Sequence, residues 1–240
     1  YYTFPVSTLF IVATPIGDLG DISERALDTF RNVDVIAAED TRHTLQLLNR
    51  FGIKKHLISC RARNEEEGAR QVISVLDKGQ NVAYASDAGT PALSDPGAVL
   101  VRMARDSGHV ISPVPGPSAF AALLSVAGGY DKSVVFEGFL PQRPGKRRTR
   151  IAELMGSGSG VVFYESPYRI VKLLGDVADI DCDRYVVVGR EMTKIHEEFL
   201  TGRVSDILQE LNNRSKILGE FAVYVSGNKK LKVLSEDDDI

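Results

Sequence analysis

The sequence has little of what marks secreted, disulfide-stabilised or membrane-embedded proteins. Its 240 residues include two cysteines and no tryptophan, and no apolar run approaches the roughly 20 residues of a membrane-spanning helix. Cys60 and Cys182 are far apart and outside any CxxC spacing, which predicts free thiols in a reducing, cytoplasmic compartment. The first residues lack the basic segment and cleavage site of a signal peptide, so none is expected there.

Motifs that define several common enzyme classes are also missing. The loop at 15–21 follows a strand pattern but contains neither GxGxxG nor the GK[ST] of a P-loop, which argues against a dinucleotide site and against phosphoryl transfer. GxSxG is absent, so a serine hydrolase of that type has no support. The net charge of −3 does not indicate nucleic acid by itself. No metal is predicted, because no metal-ligand spacing is formed by the four histidines, His43, His56, His109 and His196.

What the sequence does have is a polar stretch at 86–97, SDAGTPALSDPG. An apolar run typical of a buried strand precedes it and a helix pattern follows it. Asp95 and Pro96 fit an N-cap and a first helical position. Connections of this kind usually need about 2–6 residues, so the long loop predicts the ligand-binding edge of an open α/β sheet. An ordinary connection with strong turn residues is the alternative.

The first part of the chain alternates strand and helix patterns, which predicts a largely parallel, five-stranded sheet. Asp21 and Glu24 have the spacing of a capping box at the first helix. The predicted strands of this part lie at 9–14, 33–40, 56–60, 81–85 and 109–115.

Alternation continues in the second part, where a basic, loop-like insert at 141–150 runs into a helix. The pattern predicts a second α/β domain with a mixed sheet. We therefore expect domains at 7–127 and 128–228, followed by a peripheral tail at 229–240.

Eight blocks together carry a resemblance to one family. They are, in order, ATPIGDLGDIS (13–23), AAEDTRHT (37–44), SDAGTPALSDPG (86–97), PVPGPSAF (113–120), FEGFLP (136–141), FYESPYR (163–169), GREMTK (189–194) and GEFAVYV (219–225). The sequence resembles the 2′-O-methyltransferases that modify a cytidine of 16S ribosomal RNA, members of the tetrapyrrole methylase superfamily. The similarity covers about residues 9–226.

The resemblance implies two α/β domains with S-adenosylmethionine in the cleft between them, and a homodimer. The cofactor requires acceptors for its ammonium and ribose hydroxyls and backbone donors for its carboxylate and adenine. Asp87 could instead only cap its own loop. Carried over to this sequence, the implied cofactor-binding residues are Pro15, Gly17, Asp87, Ala88, Gly89, Ser118, Ala119, Phe163 and Met192.

The implied reaction is an in-line transfer of a methyl group to a ribose hydroxyl, in which the protein positions and desolvates the reactants. Because that hydroxyl is a poor acid, a base or a polarising cation would help. The candidate catalytic residues are Glu165, Glu191, Lys194 and Asn64. The alternative for Glu191 is a structural ion pair with Arg190.

The sequence departs from the family pattern at several positions. Arg61 and Arg63 stand where histidines are usual, and Tyr168 also replaces a histidine. Leu218 replaces a lysine, and Asp18 an asparagine. If the family's general base is a histidine, this chain lacks it, which favours Lys194 or a carboxylate in that role, or a mechanism that needs no strong base.

A local basic run predicts contact with RNA phosphates, although a solvated protein surface is the alternative. Its five cations are Arg143, Lys146, Arg147, Arg148 and Arg150. The expected partner is 16S RNA within the small ribosomal subunit, without a membrane. Two alternatives remain: a methyltransferase acting on a tetrapyrrole, and a non-enzymatic ligand-binding or ribosome-assembly module. The basic run and the AEDTR and FYES blocks favour RNA over a tetrapyrrole.

Overall fold

The computed structural model describes residues 7–128 and 131–227. The chain forms two compact units, Tyr1–Ser118 and Ala119–Ile240, and each is described by itself. The predicted tail at 229–240 lies outside the described residues. The predicted boundary after residue 127 falls later than the division at residue 118, so that the helix between them belongs to the second unit.

The first unit is an α/β unit with a five-stranded sheet of order β3-β2-β4-β1-β5, in which every neighbouring pair is parallel. Its strands are β1 (Thr8–Val12), β2 (Val35–Ala38), β3 (His56–Ser59), β4 (Val82–Ala85) and β5 (Val110–Val114). Its helices are α1 (Glu24–Asn32), α2 (Thr41–Arg50), α3 (Glu65–Leu76) and α4 (Ala98–Asp106). The predicted parallel sheet is confirmed.

Strands β2 and β4 are buried along their whole length, because helices cover both faces of the sheet. On one face Tyr84 packs with Leu76 of α3 and Leu100 of α4. On the other face Ala83 packs with Phe30 of α1 and Leu48 of α2. Successive residues of a strand thus pack into hydrophobic cores on opposite faces of the sheet.

Two helix starts differ from the predictions. Ser23, not Asp21, caps α1 by accepting a hydrogen bond from the backbone N–H of Ala26, since Asp21 ends a short 3₁₀ turn. Helix α4 begins at Ala98, with Gly97 at the N-cap position at a φ of 127°. Asp95 is therefore not its N-cap, as predicted, and the capping acceptor comes from elsewhere in the chain.

The second unit has a mixed sheet of order β6-β7-β10-β8-β9, parallel only between β6 and β7. Its strands are β6 (Val134–Phe139), β7 (Gly160–Glu165), β8 (Tyr185–Arg190), β9 (Glu198–Arg203) and β10 (Phe221–Val225). Its helices are α5 (Ala119–Ala127), α6 (Pro144–Gly156), α7 (Ile170–Ala178) and α8 (Val204–Asn212). The predicted α/β class is confirmed in this unit too.

Helices α6, α7 and α8 share one core with the sheet, in which Ile151, Leu173 and Ile207 pack against Phe163 and Val223. The expected loop at 141–150 is wrong for most of its length, because α6 already begins at Pro144, a residue favoured in the first helical turn. No helix in the described ranges is long and apolar enough to cross a membrane.

Candidate active-site loops

In the first unit the loops after β1 and β4 are joined by backbone hydrogen bonds. Thr14 and Gly89 exchange two of them, with N···O distances of 2.9 and 3.0 Å. The buried Thr14 hydroxyl also donates to the carbonyl of Ser86 at 3.3 Å. These bonds hold the 86–97 loop at the carboxyl edge of the parallel sheet, where open α/β folds place their ligands.

The loop after β5 closes against the same edge. A Cβ at Gly116 would come within 3.1 Å of the Ala13 side chain, and the Thr90 hydroxyl donates to the carbonyl of Pro117 at 3.1 Å. Gly89 has a φ of 77°, a conformation that favours glycine. The structure thus brings together in the first unit six of the predicted cofactor residues: Pro15, Gly17, Asp87, Ala88, Gly89 and Ser118.

Two carboxylates lock the ends of β2 and β4 to each other. The Glu39 carboxylate accepts from the backbone N–H of Asp87 at 3.2 Å, and the Asp87 carboxylate accepts from the N–H of Asp40 at 3.0 Å. Asp40 in turn caps α2 through the N–H of Arg42. Only Oδ1 of Asp87 is used, and Oδ2 accepts no hydrogen bond from the described residues.

The edge is acidic and partly dehydrated. Burial, together with the charge of Asp87, raises the pKa of Glu39, although a backbone hydrogen bond opposes the shift. Burial and the nearby Glu39 charge raise the pKa of Asp95 to about 6. Burial also raises the pKa of Tyr84, whose hydroxyl has no hydrogen-bond partner in the described part of the chain. Such an environment favours a cationic ligand.

Glu65, which the sequence analysis did not identify, supports the 86–97 loop from α3. Its Oε1 accepts from the N–H groups of Gly97 and Val99 at 2.7 and 3.2 Å. These donors are the unpaired N–H groups at the start of α4, so Glu65 replaces the cap predicted for Asp95. Because 32 and 34 residues separate the partners, no local sequence signal identifies this contact.

In the second unit, the residues after β8 form a strained loop around Lys194. Glu191 and Thr193 have φ angles of 48° and 64°, a rare conformation for residues with side chains that clusters at functional sites. The Lys194 ammonium lies 3.0 Å from Glu191 and 2.8 Å from Glu220. Gly219 makes room, since a Cβ there would lie 2.5 Å from the Glu191 side chain.

The protonation states of Lys194 and Glu191 determine which of the two can accept a proton. Desolvation lowers the pKa of Lys194, but hydrogen bonds to Glu220 and Glu191 outweigh it, and the pKa is raised. Desolvation raises the pKa of Glu191, yet hydrogen bonds from the Glu220 N–H and from Lys194 leave that pKa lowered. At neutral pH Lys194 is therefore a cation and cannot accept a proton. The predicted alternative partner of Glu191, Arg190, lies instead 3.4 Å from Glu198.

Two predicted cofactor residues of the second unit are buried. Met192 lies against Gly189, where a Cβ would come within 2.8 Å of its sulfur. Phe163 is completely buried in the core, which gives its side chain a packing role. Ala119, the third predicted residue of this unit, is the first residue of α5.

The remaining catalytic candidates occupy different surroundings. Glu165 is buried, accepts from the N–H of Ser166 at 2.8 Å and lies 3.4 Å from Arg169. Arg169 in turn donates to the carbonyls of Leu140 and Pro141, so Glu165 helps to fix the segment after β6. Asn64 is exposed in the first unit, with a long 3.5 Å contact to Glu67.

The basic run does not form the predicted loop-like insert, since most of it lies in α6. Arg147 is buried and bonds to Asp176 at 2.5 Å, and the exposed Arg148 reaches the same carboxylate at 2.8 Å. Arg150 pairs with Glu137 and Glu153. Burial thus corrects the prediction that Arg147 contacts phosphate. Arg143 and Lys146 are exposed and have no ion pair among the residues described.

No cluster of three or more metal-binding side chains occurs within residues 7–128 and 131–227.

Comparison with known sequences identifies one family. The sequence profile of the Tetrapyrrole (Corrin/Porphyrin) Methylases matches residues 8–208. A "Ribosomal RNA small subunit methyltransferase I" of Borrelia garinii is 46% identical over 91% of this chain and 98% of the relative. A protein of the same name from Thermotoga maritima is 45% identical over 92% of this chain and 99% of the relative.

Solved structures agree on the fold. The cobalt precorrin-4 methyltransferase of cobalamin biosynthesis is similar with a TM-score of 0.66 at 16% identity, covering 93% of this chain and 96% of its own. Uroporphyrin-III-C-methyltransferase from Thermus thermophilus has a TM-score of 0.63 at 16% identity, covering 92% and 94%. At this identity the likeness concerns the fold alone.

Proposed function

The chain belongs to the ribosomal RNA small subunit methyltransferase I family of tetrapyrrole methylases, and from this premise we propose its donor, its target atom and its site. It is a methyltransferase acting on RNA of the small ribosomal subunit. We propose that the donor is S-adenosylmethionine and that the acceptor is the 2′-hydroxyl of a cytidine in 16S RNA. The observation behind the RNA methyltransferase activity is the 45–46% identity to these relatives over more than nine-tenths of the chain.

The first unit's edge suits the proposed donor. S-Adenosylmethionine carries a sulfonium and an ammonium, and the edge offers the Asp87 carboxylate with Oδ2 open, close to Glu39. Gly89 itself is buried and paired with Thr14, so its proposed role in the site is to shape the loop that carries Asp87. Pro15, Gly17, Ala88 and Ser118, which lie in the loops at this edge, complete the proposed binding set of the first unit. The family resemblance alone adds Ala119 and Met192 of the second unit.

When bound, S-adenosylmethionine supplies an electrophilic methyl group. The chain's own residues position the acceptor. We propose that Lys194, held as a cation by Glu191 and Glu220, orients the ribose oxygen and stabilises the negative charge that develops there. Glu191 is ionised and is the proposed acceptor of the hydroxyl proton. Glu165 is a positioning residue, acting through Arg169 on the segment after β6.

Arg143 and Lys146 are the proposed contacts to RNA phosphates, since both are exposed and unpaired in the described structure. Arg148 and Arg150 join them as weaker candidates, because each already has an acidic partner. We propose a cytoplasmic location, which a ribosomal substrate supports, and a homodimer, which the family resemblance supports.

The experiment is methyl transfer from labelled S-adenosylmethionine to unmodified small ribosomal subunits, with naked 16S RNA and a tetrapyrrole as competing acceptors. Label in the 16S RNA supports the proposal. Label only in the tetrapyrrole overturns the RNA assignment. Donor binding without transfer to any acceptor favours the non-enzymatic alternative.

Asp87→Asn tests the donor site in the same preparation. The amide keeps an acceptor oxygen for the Asp40 N–H but loses the charge, so donor affinity falls about tenfold or more, as loss of a charged hydrogen bond implies. Asp106→Asn, which removes an exposed charge from the end of α4, is the matched control. Equal donor affinity in both variants contradicts the site.

A further inference from the structure

The second unit carries a row of aromatic rings that ends in solvent. The ring of Phe120 lies 5.0 Å from that of Phe136, and Phe136 lies 5.0 Å from Tyr164. Phe139 follows at 5.9 Å from Tyr164, in an edge-on arrangement. Phe139 is 59% exposed, whereas the three other rings are partly buried.

A β-bulge creates this row. The pairing of β6 with β7 shifts between Phe136 and Gly138, so that Phe136 lies opposite Val162 and Phe139 lies opposite Tyr164. In a regular strand, residues three apart point to opposite faces. The bulge, with Gly138 at a φ of 69°, puts both phenylalanines on the face of Tyr164. Bulges that re-aim side chains are over-represented beside active sites.

Exposed cations follow the exposed ring closely in the sequence. β6 is the edge strand of its sheet, and α6 follows it with exposed Arg143 and Lys146. Arg150 of α6 forms a bidentate pair with Glu137, two residues before Phe139. A depression of about 640 Å³ beside this pair is lined by Pro141, Lys146 and Arg150, among others.

We propose that Phe139 is a stacking platform for an unpaired nucleobase of the RNA substrate, with Arg143 and Lys146 contacting the neighbouring phosphates. The inference rests on the proposed function and names a recognition element for it. Aromatic rings that end in solvent next to cations are how proteins hold single-stranded RNA, because each base offers a π-face and each linkage a phosphate.

A second copy of this chain is the less suitable occupant. A two-fold contact through Phe139 would bring the same surface of both copies together. The exposed cations Arg143 and Lys146 would then face their own equivalents, and like charges across an interface oppose association. A polyanion with flat apolar rings complements both features of the surface.

The test uses the absence of tryptophan from this chain. Phe139→Trp introduces a single tryptophan at the platform, and we expect its emission to be quenched when a short single-stranded oligocytidine RNA is added. Ile180→Trp, at another exposed apolar position of the same unit, is the matched control and should not be quenched. Duplex RNA, whose bases are already stacked, should leave the emission of both variants unchanged.

Affinity measurements separate stacking from charge. Phe139→Ala should weaken single-stranded RNA binding about 5- to 150-fold without changing its salt dependence. Lys146→Ala should reduce the salt slope by about 1. Quenching that follows protein concentration instead of RNA would overturn the proposal in favour of a self-association surface. An unchanged RNA affinity in Phe139→Ala would overturn it as well.

Failure of the proposed function gives a different pattern. If small subunits accept no methyl group but oligocytidine still quenches the emission of Phe139→Trp, the stacking proposal is supported and the proposed activity is overturned. If the wild-type protein methylates small subunits and Phe139→Ala does so with unchanged KM and kcat, the proposed activity is supported and the stacking proposal is overturned.

Discussion

Removal of the Glu65 carboxylate should loosen the 86–97 loop, on which the proposed donor site depends. Glu65 accepts from the N–H groups of Gly97 and Val99 at 2.7 and 3.2 Å, and α4 has no other side-chain cap. Glu65→Ala leaves both donors unpaired at the helix start, in a partly buried position. Loss of a helix cap costs about 0.5–2 kcal/mol, and hydrogen bonds to a charged acceptor about 1.5–3 kcal/mol each.

Because these contributions overlap and water can replace part of them, we expect Glu65→Ala to lower the free energy of unfolding of the first unit by about 2 kcal/mol. Glu65→Gln keeps an acceptor oxygen at the same position and should lose about half as much. The melting temperature of Glu65→Ala should fall by roughly 4–8 °C.

The assay is chemical denaturation of each variant, monitored by circular dichroism, together with titration of S-adenosylmethionine. Glu66→Ala is the matched control, since Glu66 lies in the same first turn, is exposed and has only a 3.7 Å pair with Arg70. That variant should stay within about 0.5 kcal/mol of the wild type. If Glu65→Ala is no less stable than Glu66→Ala, the capping role is refuted.

Three further predictions concern the carboxylate edge and the Lys194 loop. Burial raises the pKa of Asp95 from 3.8 to about 6. The stability that its proton contributes in the folded state is therefore complete below about pH 4, and it is lost as the pH rises through about 6. The free energy of unfolding of Asp95→Asn should match that of the wild type near pH 4 and exceed it by up to about 2–3 kcal/mol at pH 8 in denaturation experiments. Lys194→Met should lower kcat by about 10²–10⁴-fold while donor binding persists, and Lys194→Arg should recover part of the rate; a normal kcat in Lys194→Met would exclude a role in the reaction. Gly219→Ala, which forces a Cβ against Glu191 at a φ of 97°, should destabilise the protein by about 1–3 kcal/mol and lower kcat as well, and full activity would show that Glu191 need not be held in place.

The alternation of strands and helices was predictable because it rests on local patterns. Strands β2 and β4 are continuous apolar runs, which a sheet covered on both faces requires. The 86–97 loop was also identifiable from its Gly, Pro and Asp content alone. Its position at the carboxyl edge of the sheet then follows from parallel topology.

Features that depend on distant partners were not predictable in this way. Strand β9 lies at the edge of the second sheet and alternates partly buried and exposed residues. Because it begins with Glu198 and ends with Arg203, its sequence does not show the apolar run that marks the other strands. In the basic start of α6, Arg147 is buried against Asp176 of α7, a pairing that the sequence of α6 does not reveal. The cap from Glu65 to α4 is another such contact, since its partners are separated by a strand and a loop.

The ionic state of the catalytic candidates also comes from tertiary contacts. Lys194 reads in sequence as a possible base, but Glu191 and Glu220 hold it as a cation. Glu220 lies 26 residues from Lys194 and adjoins β10. Only the folded sheet, in which β8 pairs with β10, brings these charges together.

The proposed reaction delivers the methyl group to a ribose oxygen of a cytidine in 16S RNA. The most direct measurement is mass spectrometry of nucleosides from 16S RNA, after reaction of unmodified small subunits with the protein and isotope-labelled S-adenosylmethionine. We expect labelled 2′-O-methylcytidine at one position, within a nuclease-resistant dinucleotide. Label on a base, or labelled product that is absent from the RNA although the donor binds, would contradict it.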